Sequence, residues 1–162
     1  FAARLQGIES RLAAAEAALD GLELDERTRD MIGHIALIRA TVAVSQHDGE
    51  TIMSQSLRAQ AYLSPHNIPV RTASLWTLGH AHYLRGEVTT AQALLSQALE
   101  ASLQIKHRII IMMSSMGLGR ICEDKQDYEQ ALEHYRRAIE IAGDPPQPAS
   151  ADDSEKIGRA HV

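Results

Sequence analysis

A chain of 162 residues, 44% of them hydrophobic, is long enough to bury a core of its own. Its formal charge of −5 at pH 7 argues against a phosphate-binding surface, because nucleic-acid affinity rests largely on Lys and Arg neutralising phosphates. The lone cysteine, Cys122, excludes an intramolecular disulfide framework and any multi-cysteine metal site, and it suits a reducing compartment.

In chain order, the opening "FAARLQGIESRLAAAEAAL" starts without Met and carries charges where a signal peptide would be apolar, so it reads as part of a longer cytoplasmic protein. Leu5, Ile8, Leu12, Ala15 and Leu19 recur at steps of three and four, which predicts one apolar stripe on a helix that stops near Gly21. A second helix begins at Asp25 and Glu26, favourable at the positive end of the helix dipole, and runs to about Gln46 before the turn "HDG". A third, over about 50–63, ends before the loop "SPHNIP". Helices over about 70–84 and 88–105 flank the turn "RGE", and helices over about 107–123 and 128–142 flank "DKQD". The longest apolar run is 109–113, whereas a membrane span needs roughly 20 such residues. About seven helices with short connections predict an all-α antiparallel array over 1–143. The Pro-, Ser- and Asp-rich stretch 144–155 reads as a disordered segment. The last residues, "KIGRAHV" over 156–162, match a common sequencing-adapter string translated in frame and are set aside as a non-native read-through tail.

The chain also repeats itself. Leu78, Gly79, Ala91, Ala98 and Glu100 recur forty residues on as Leu118, Gly119, Ala131, Ala138 and Glu140, with Leu95 matched by Tyr135. A fainter copy, one step of 39 earlier, consists of Ala40, Ile52 and Ala59. Two helix axes approach within about 8 to 10 Å only where the contacting side chains are small, which gives the glycines and alanines a packing role. One hairpin cannot bury its outer apolar face, so successive hairpins must stack.

The pattern of Leu78-Gly79, Gly86, Ala91, Leu95 and Ala98 resembles the tetratricopeptide repeat signature. The second copy departs from it where Gln126 replaces the turn glycine and where Cys122 stands at a place the family often gives to an aromatic; His82 departs likewise in the first copy. Repeats near 40 residues exceed the usual length of roughly 34. Together with "GHIALIRATVAVSQHDGETIMSQSLRAQAYLSP" and "RTASLWTLGHAHYLRGEVTTAQALLSQAL", they are similar to the MalT-like helical-repeat region of large ATP-binding LuxR-type transcription regulators. That resemblance implies hairpins stacked as a right-handed solenoid, placed between an N-terminal nucleotide-binding module and a C-terminal helix-turn-helix module. ATP would belong to the former and DNA contact to the latter. No G-x-x-x-x-G-K-[ST] loop occurs here, and the nearest glycine cluster, "MGLGR", lies within a predicted helix without a lysine. The implied role is a non-catalytic sensing and coupling domain, without a cofactor of its own and without membrane contact. Its partner would be a protein, a peptide or a small-molecule effector. The alternative is a stand-alone tetratricopeptide scaffold for protein–protein interaction.

In such a solenoid the first helix of each hairpin lines the concave side. The expected groove residues are His34, Leu37 and Thr41, then Trp76, His80 and Tyr83, then Met113, Met116, Arg120 and Glu123. Trp76, His80 and Tyr83 would form an aromatic wall with polar tips, and Arg120 could receive a carboxylate or phosphate. Two readings of Trp76 and Tyr83 stay open, the groove wall and packing between hairpins. Met112, Met113 and Met116 likewise either fill a core or make an adaptable surface. No catalytic or metal residue is expected. His80 and His82 point about 200° apart on a helix, and no histidine has a nucleophile beside it. Glu123 and Asp124 read as solvating a helix end, and Cys122 as a small core residue.

Overall fold

The computed structural model describes residues 2–143, with side chains from Gln6 onward. The expectations for 144–155 and 156–162, and for the side chain of Leu5, lie outside the described residues. Among those residues every regular element is a helix: α1 (Ala2–Ala17), α2 (Glu26–Gln46), α3 (Gly49–Tyr62), α4 (Ile68–Leu84), α5 (Val88–Gln104), α6 (Arg108–Asp124) and α7 (Tyr128–Gly143).

Four of the helix starts have a clear local cause. Asp25 accepts a hydrogen bond from the Thr28 amide at 2.7 Å, Asp48 from the Thr51 amide at 3.1 Å, and Asp127 from the Gln130 amide at 3.2 Å. Pro69 starts α4, where an amide hydrogen would have no helical partner. Asn67 precedes it without capping the helix, because its side-chain amide donates to Asp30 at 2.8 Å. Asp30 also accepts from the Ser64 amide at 2.8 Å, so one carboxylate on α2 ties down the loop between α3 and α4. The turns within the hairpins place His47, Gly86 and Gln126 in the left-handed region, with φ of 56°, 77° and 62°. Gln126 thus adopts the conformation that Gly86 adopts forty residues earlier.

The helices pair as α2/α3, α4/α5 and α6/α7, and each hairpin packs on the next through α3 with α4 and α5 with α6. The first helices also touch in succession, α2 with α4 and α4 with α6, whereas the second helices do not touch one another. The first helices therefore lie side by side on one face of the stack. Ala40, Ile52, Ala59, Ala91 and Ala98 are all fully buried, so the fainter 39-residue copy is a true hairpin of the series.

The close approach is visible at the glycines. A Cβ on Gly79 would lie 2.9 Å from the Leu95 side chain, and one on Gly119 would lie 2.6 Å from the Tyr135 ring. Gly117, from the "MGLGR" cluster, sits under the other side of Leu95, where an added Cβ would lie 2.9 Å from that side chain. Leu95 is thus clasped between α4 and α6. One hairpin earlier, the equivalent position is Ser56, which donates to the Thr77 hydroxyl at 2.7 Å. The seam between α3 and α4 is consequently polar, and Gln60 adds a bond to the Ser74 hydroxyl at 2.6 Å. Cys122 is buried, and burial pushes its thiol pKa up.

α1 differs from its expectation. It ends at Ala17 rather than near Gly21, and Leu19 sits in the following turn. Of its apolar stripe, Leu12 and Leu19 pack on Ile35, while Ala15 and Ile8 stay exposed. Ion pairs supply the rest of the attachment: Arg39 meets Glu9 at 3.0 Å and Glu16 at 2.5 Å, and Arg58 also reaches Glu16. The Arg39 hydrogen bond is the main reason that the Glu16 carboxyl pKa lies below its usual value.

Candidate functional site

Steps of 39 and 40 residues set the facing side chains of α2, α4 and α6 into rows: His34, Ala73, Met113; Leu37, Trp76, Met116; Thr41, His80, Arg120; and Val44, Tyr83, Glu123. Around the last three rows the helices enclose a cavity of about 220 Å³. Val44 reaches it from α2, Trp76, His80 and Tyr83 from α4, and Met113, Met116, Gly117 and Arg120 from α6, with Leu95 of α5 and Tyr135 of α7 closing the floor and side.

The structure brings six of the ten expected groove residues to this cavity: Trp76, His80, Tyr83, Met113, Met116 and Arg120. Trp76 is not a free-standing wall, however. It is 6% exposed and belongs to the core with Leu95, Ile111 and Leu118, offering the cavity only an edge of its surface. Leu37 is corrected in the same way, being 8% exposed in a cluster with Ala36, Ala59 and Leu63. Leu37 is covered by the α3 side of its hairpin and Trp76 by α5 and α6, so neither can face an open groove, whereas Met116 of the same row stays exposed. His34 and Thr41 lie away from the cavity; His34 Nδ1 is 3.2 Å from the Asp30 carbonyl oxygen, and the Thr41 hydroxyl donates to the Leu37 carbonyl at 2.9 Å. Glu123 stands outside the lining but is bonded to it through Tyr135.

Four lining residues were not among the expected set. Val44 was legible from its 39-residue offset to Tyr83, and Gly117 from its helical register with Met113. Leu95 and Tyr135 match each other at the forty-residue step, but nothing in their own helices marks them as facing a hollow.

Two hydrogen bonds organise the rim. The Tyr83 hydroxyl donates to Asp124 at 2.7 Å, and the Tyr135 hydroxyl donates to Glu123 at 2.8 Å. Glu123 and Asp124 therefore do more than solvate a helix end, since they latch α4 and α7 to the last turn of α6. Burial, reinforced by the Asp124 carboxylate, pushes the Tyr83 pKa up to about 12. Burial and Glu123 raise that of Tyr135 as well. His80 lies between the Trp76 and Tyr83 rings, with centroids 6.3 Å and 6.5 Å away. Burial, and then the positive charge of Arg120, lower the His80 pKa. Arg120 is exposed and has no hydrogen bond or ion pair among the described residues. The arrangement can hold a ligand, but it sets no nucleophile against a base, and no group of three metal-ligating side chains occurs among the described residues. His82, the other histidine of the pair, points away and bonds Glu87 at 2.5 Å.

Helical hairpins in register, two of them clasping a large side chain over glycine, define a tetratricopeptide-type repeat protein. The chain belongs to the family described as the MalT-like TPR region, whose model matches residues 33–158. The match begins within α2, covers the rest of the three hairpins and leaves α1 outside. No curated protein and no solved structure matches the chain. Repeat domains of this type are generally non-catalytic. Among the described residues, no helix is long and apolar enough to cross a membrane.

Proposed function

We propose that this repeat array is the sensing and coupling region of a cytoplasmic, LuxR-type, MalT-like ATP-dependent transcription regulator, and that an effector or partner protein occupies the cavity face. ATP and DNA would be bound by modules on either side of the array and not by the array itself. The observation that carries this reading is where the cavity lies. Its lining comes from five helices and from all three hairpins, so filling it changes how successive hairpins pack and biases a two-state equilibrium between whatever modules they join. The alternative, a stand-alone scaffold, draws on the exposed Tyr128, Leu132 and Ile139 of α7, which offer a partner helix an apolar strip.

The test uses the full-length gene product. A phosphate-binding loop upstream and a helix-turn-helix downstream in the reading frame are expected, and a complete frame lacking both rejects the regulator. In the regulator, effector-dependent ATP turnover and DNA binding should be lost together in Met116→Lys, which blocks the cavity from an exposed position, and kept in Thr41→Ala.

A further inference from the structure

We infer that the cavity selects small monoanions in which a carboxylate is joined to a single apolar ring or branched chain, with Arg120 taking the carboxylate. The inference rests on the reading of the cavity as a binding site and adds the chemistry of what enters it. Size is the first argument. At about 220 Å³ the space falls below the roughly 300 to 1,000 Å³ of ordinary ligand pockets, which fits one ring and not an extended peptide or sugar chain. The second is the lining, where Val44, Leu95, Met113 and Met116 offer no hydrogen bonds and demand an apolar body.

The third argument is a census of donors. Each tyrosine hydroxyl has one proton, and Tyr83 and Tyr135 have already given theirs to Asp124 and Glu123. Among the described residues neither of the two carboxylates nearest to Arg120 in sequence forms an ion pair with it; each is turned to a tyrosine hydroxyl. His80 is held between the Trp76 and Tyr83 rings, where burial disfavours its charged form. Arg120 is thus the one fully charged lining group, and its planar fork of donors is free to match a carboxylate. The nearby negative charges of Glu123 and Asp124 would repel a doubly charged phosphate more strongly than a monoanion.

Phenylacetate and its neutral counterpart phenylacetamide test this directly, with binding read by calorimetry and by the fluorescence of Trp76. Phenylacetate is expected to bind saturably and phenylacetamide roughly tenfold or more weakly, the margin of charge-assisted hydrogen bonds. Arg120→Gln should remove that margin for phenylacetate and leave phenylacetamide unchanged; a melting curve matching that of the unaltered protein establishes that the variant is folded. Equal affinity for the two probes, with Arg120→Gln indifferent, overturns anion selection while the cavity stands as an apolar site. Failure of both probes to bind the folded protein overturns anion selection and the binding-site reading together.

Discussion

A methyl group on Gly119 would meet the Tyr135 ring at 2.6 Å, closer than real carbon contacts allow, and on Gly79 it would meet Leu95 at 2.9 Å. Gly119→Ala must therefore push α7 away from α6, and a loss of about 1 to 3 kcal/mol is expected in denaturant unfolding. Gly7 has open space around it, so Gly7→Ala should gain up to about 1 kcal/mol from helix propensity alone. Equal outcomes for the two variants would contradict the packing. The role of Gly79 and Gly119 was legible because a Leu-Gly pair recurs at a fixed step. That of Gly33, where an added Cβ would lie 2.7 Å from Leu63, was not, because no second glycine stands in its register. The titration of two histidines belongs to the same scale. Burial lowers the pKa of His80 and of His134 from the ordinary 6.5. The unfolded chain then binds protons that the folded one refuses, so stability is complete above about pH 6.5 and declines as the pH falls below it. Urea midpoints should be lower at about pH 5.5 than at about pH 7.5, and His80→Asn should reduce the difference. Glu16, Asp25, Asp48 and Glu87 have lowered pKa values, and their stabilisation is lost only in more acid solution, below about 4.5.

Helices α2 to α7 were readable to within a residue or two, because caps, prolines and apolar periodicity agree at nearly every boundary. α1 was not, since an Ala-rich segment with weak packing leaves its end to local propensity. The seam between α3 and α4 was faint in the sequence for a chemical reason: Ser56, Thr77, Ser74 and Gln60 fill by hydrogen bonds what Leu95 fills elsewhere by volume. The site was half legible. Register located the residues of α4 and α6 that turn toward one face, but burial of Trp76 and Leu37 depends on how close the neighbouring helix comes, which no single helix encodes. Trp76→Ala should accordingly cost about 3 to 5 kcal/mol of stability, as a core residue does. Little change in its unfolding midpoint would return Trp76 to an open groove. At the turns, Gln126 holds a φ of 62°, which an L-residue tolerates poorly, so Gln126→Gly should stabilise by about 0.5 to 1 kcal/mol. A melting temperature lowered by that substitution would mean that the side chain contributes more than the backbone strain removes.

On the scale of the whole molecule, stability is a sum over neighbours. Among the described residues α4 packs on α2, α3, α5 and α6, whereas α7 packs on α6 alone and α1 on α2, with one ion pair from Glu16 to Arg58 of α3. Moreover, Tyr128, Leu132, Tyr135 and Ile139 occupy on α7 the positions that Val88, Gln92, Leu95 and Leu99 occupy on α5, forty residues earlier. On α5 that face carries α6, whereas on α7 Ile139 is 70% exposed and Tyr128 66%. The same register position is thus core in one hairpin and surface in the next, and equal sequence roles acquire unequal energies. Leu99→Ala should cost about 2 to 5 kcal/mol, and Ile139→Lys should stay within about 0.5 kcal/mol of the unaltered protein. Because each hairpin touches only its neighbours, opening should begin at the ends and reach the centre last. Native-state hydrogen exchange is expected to rank α4 amides as the most protected, α7 as intermediate and α1 as the least. α1 ranks last because, among the described residues, Leu12 is its one buried apolar side chain, with Leu19 of the following turn beside it, and its Glu9 ion pair is half exposed. Protection that is uniform from α1 to α7 would mean that the array unfolds as one unit, and nearest-neighbour stacking would then fail as an account of its stability.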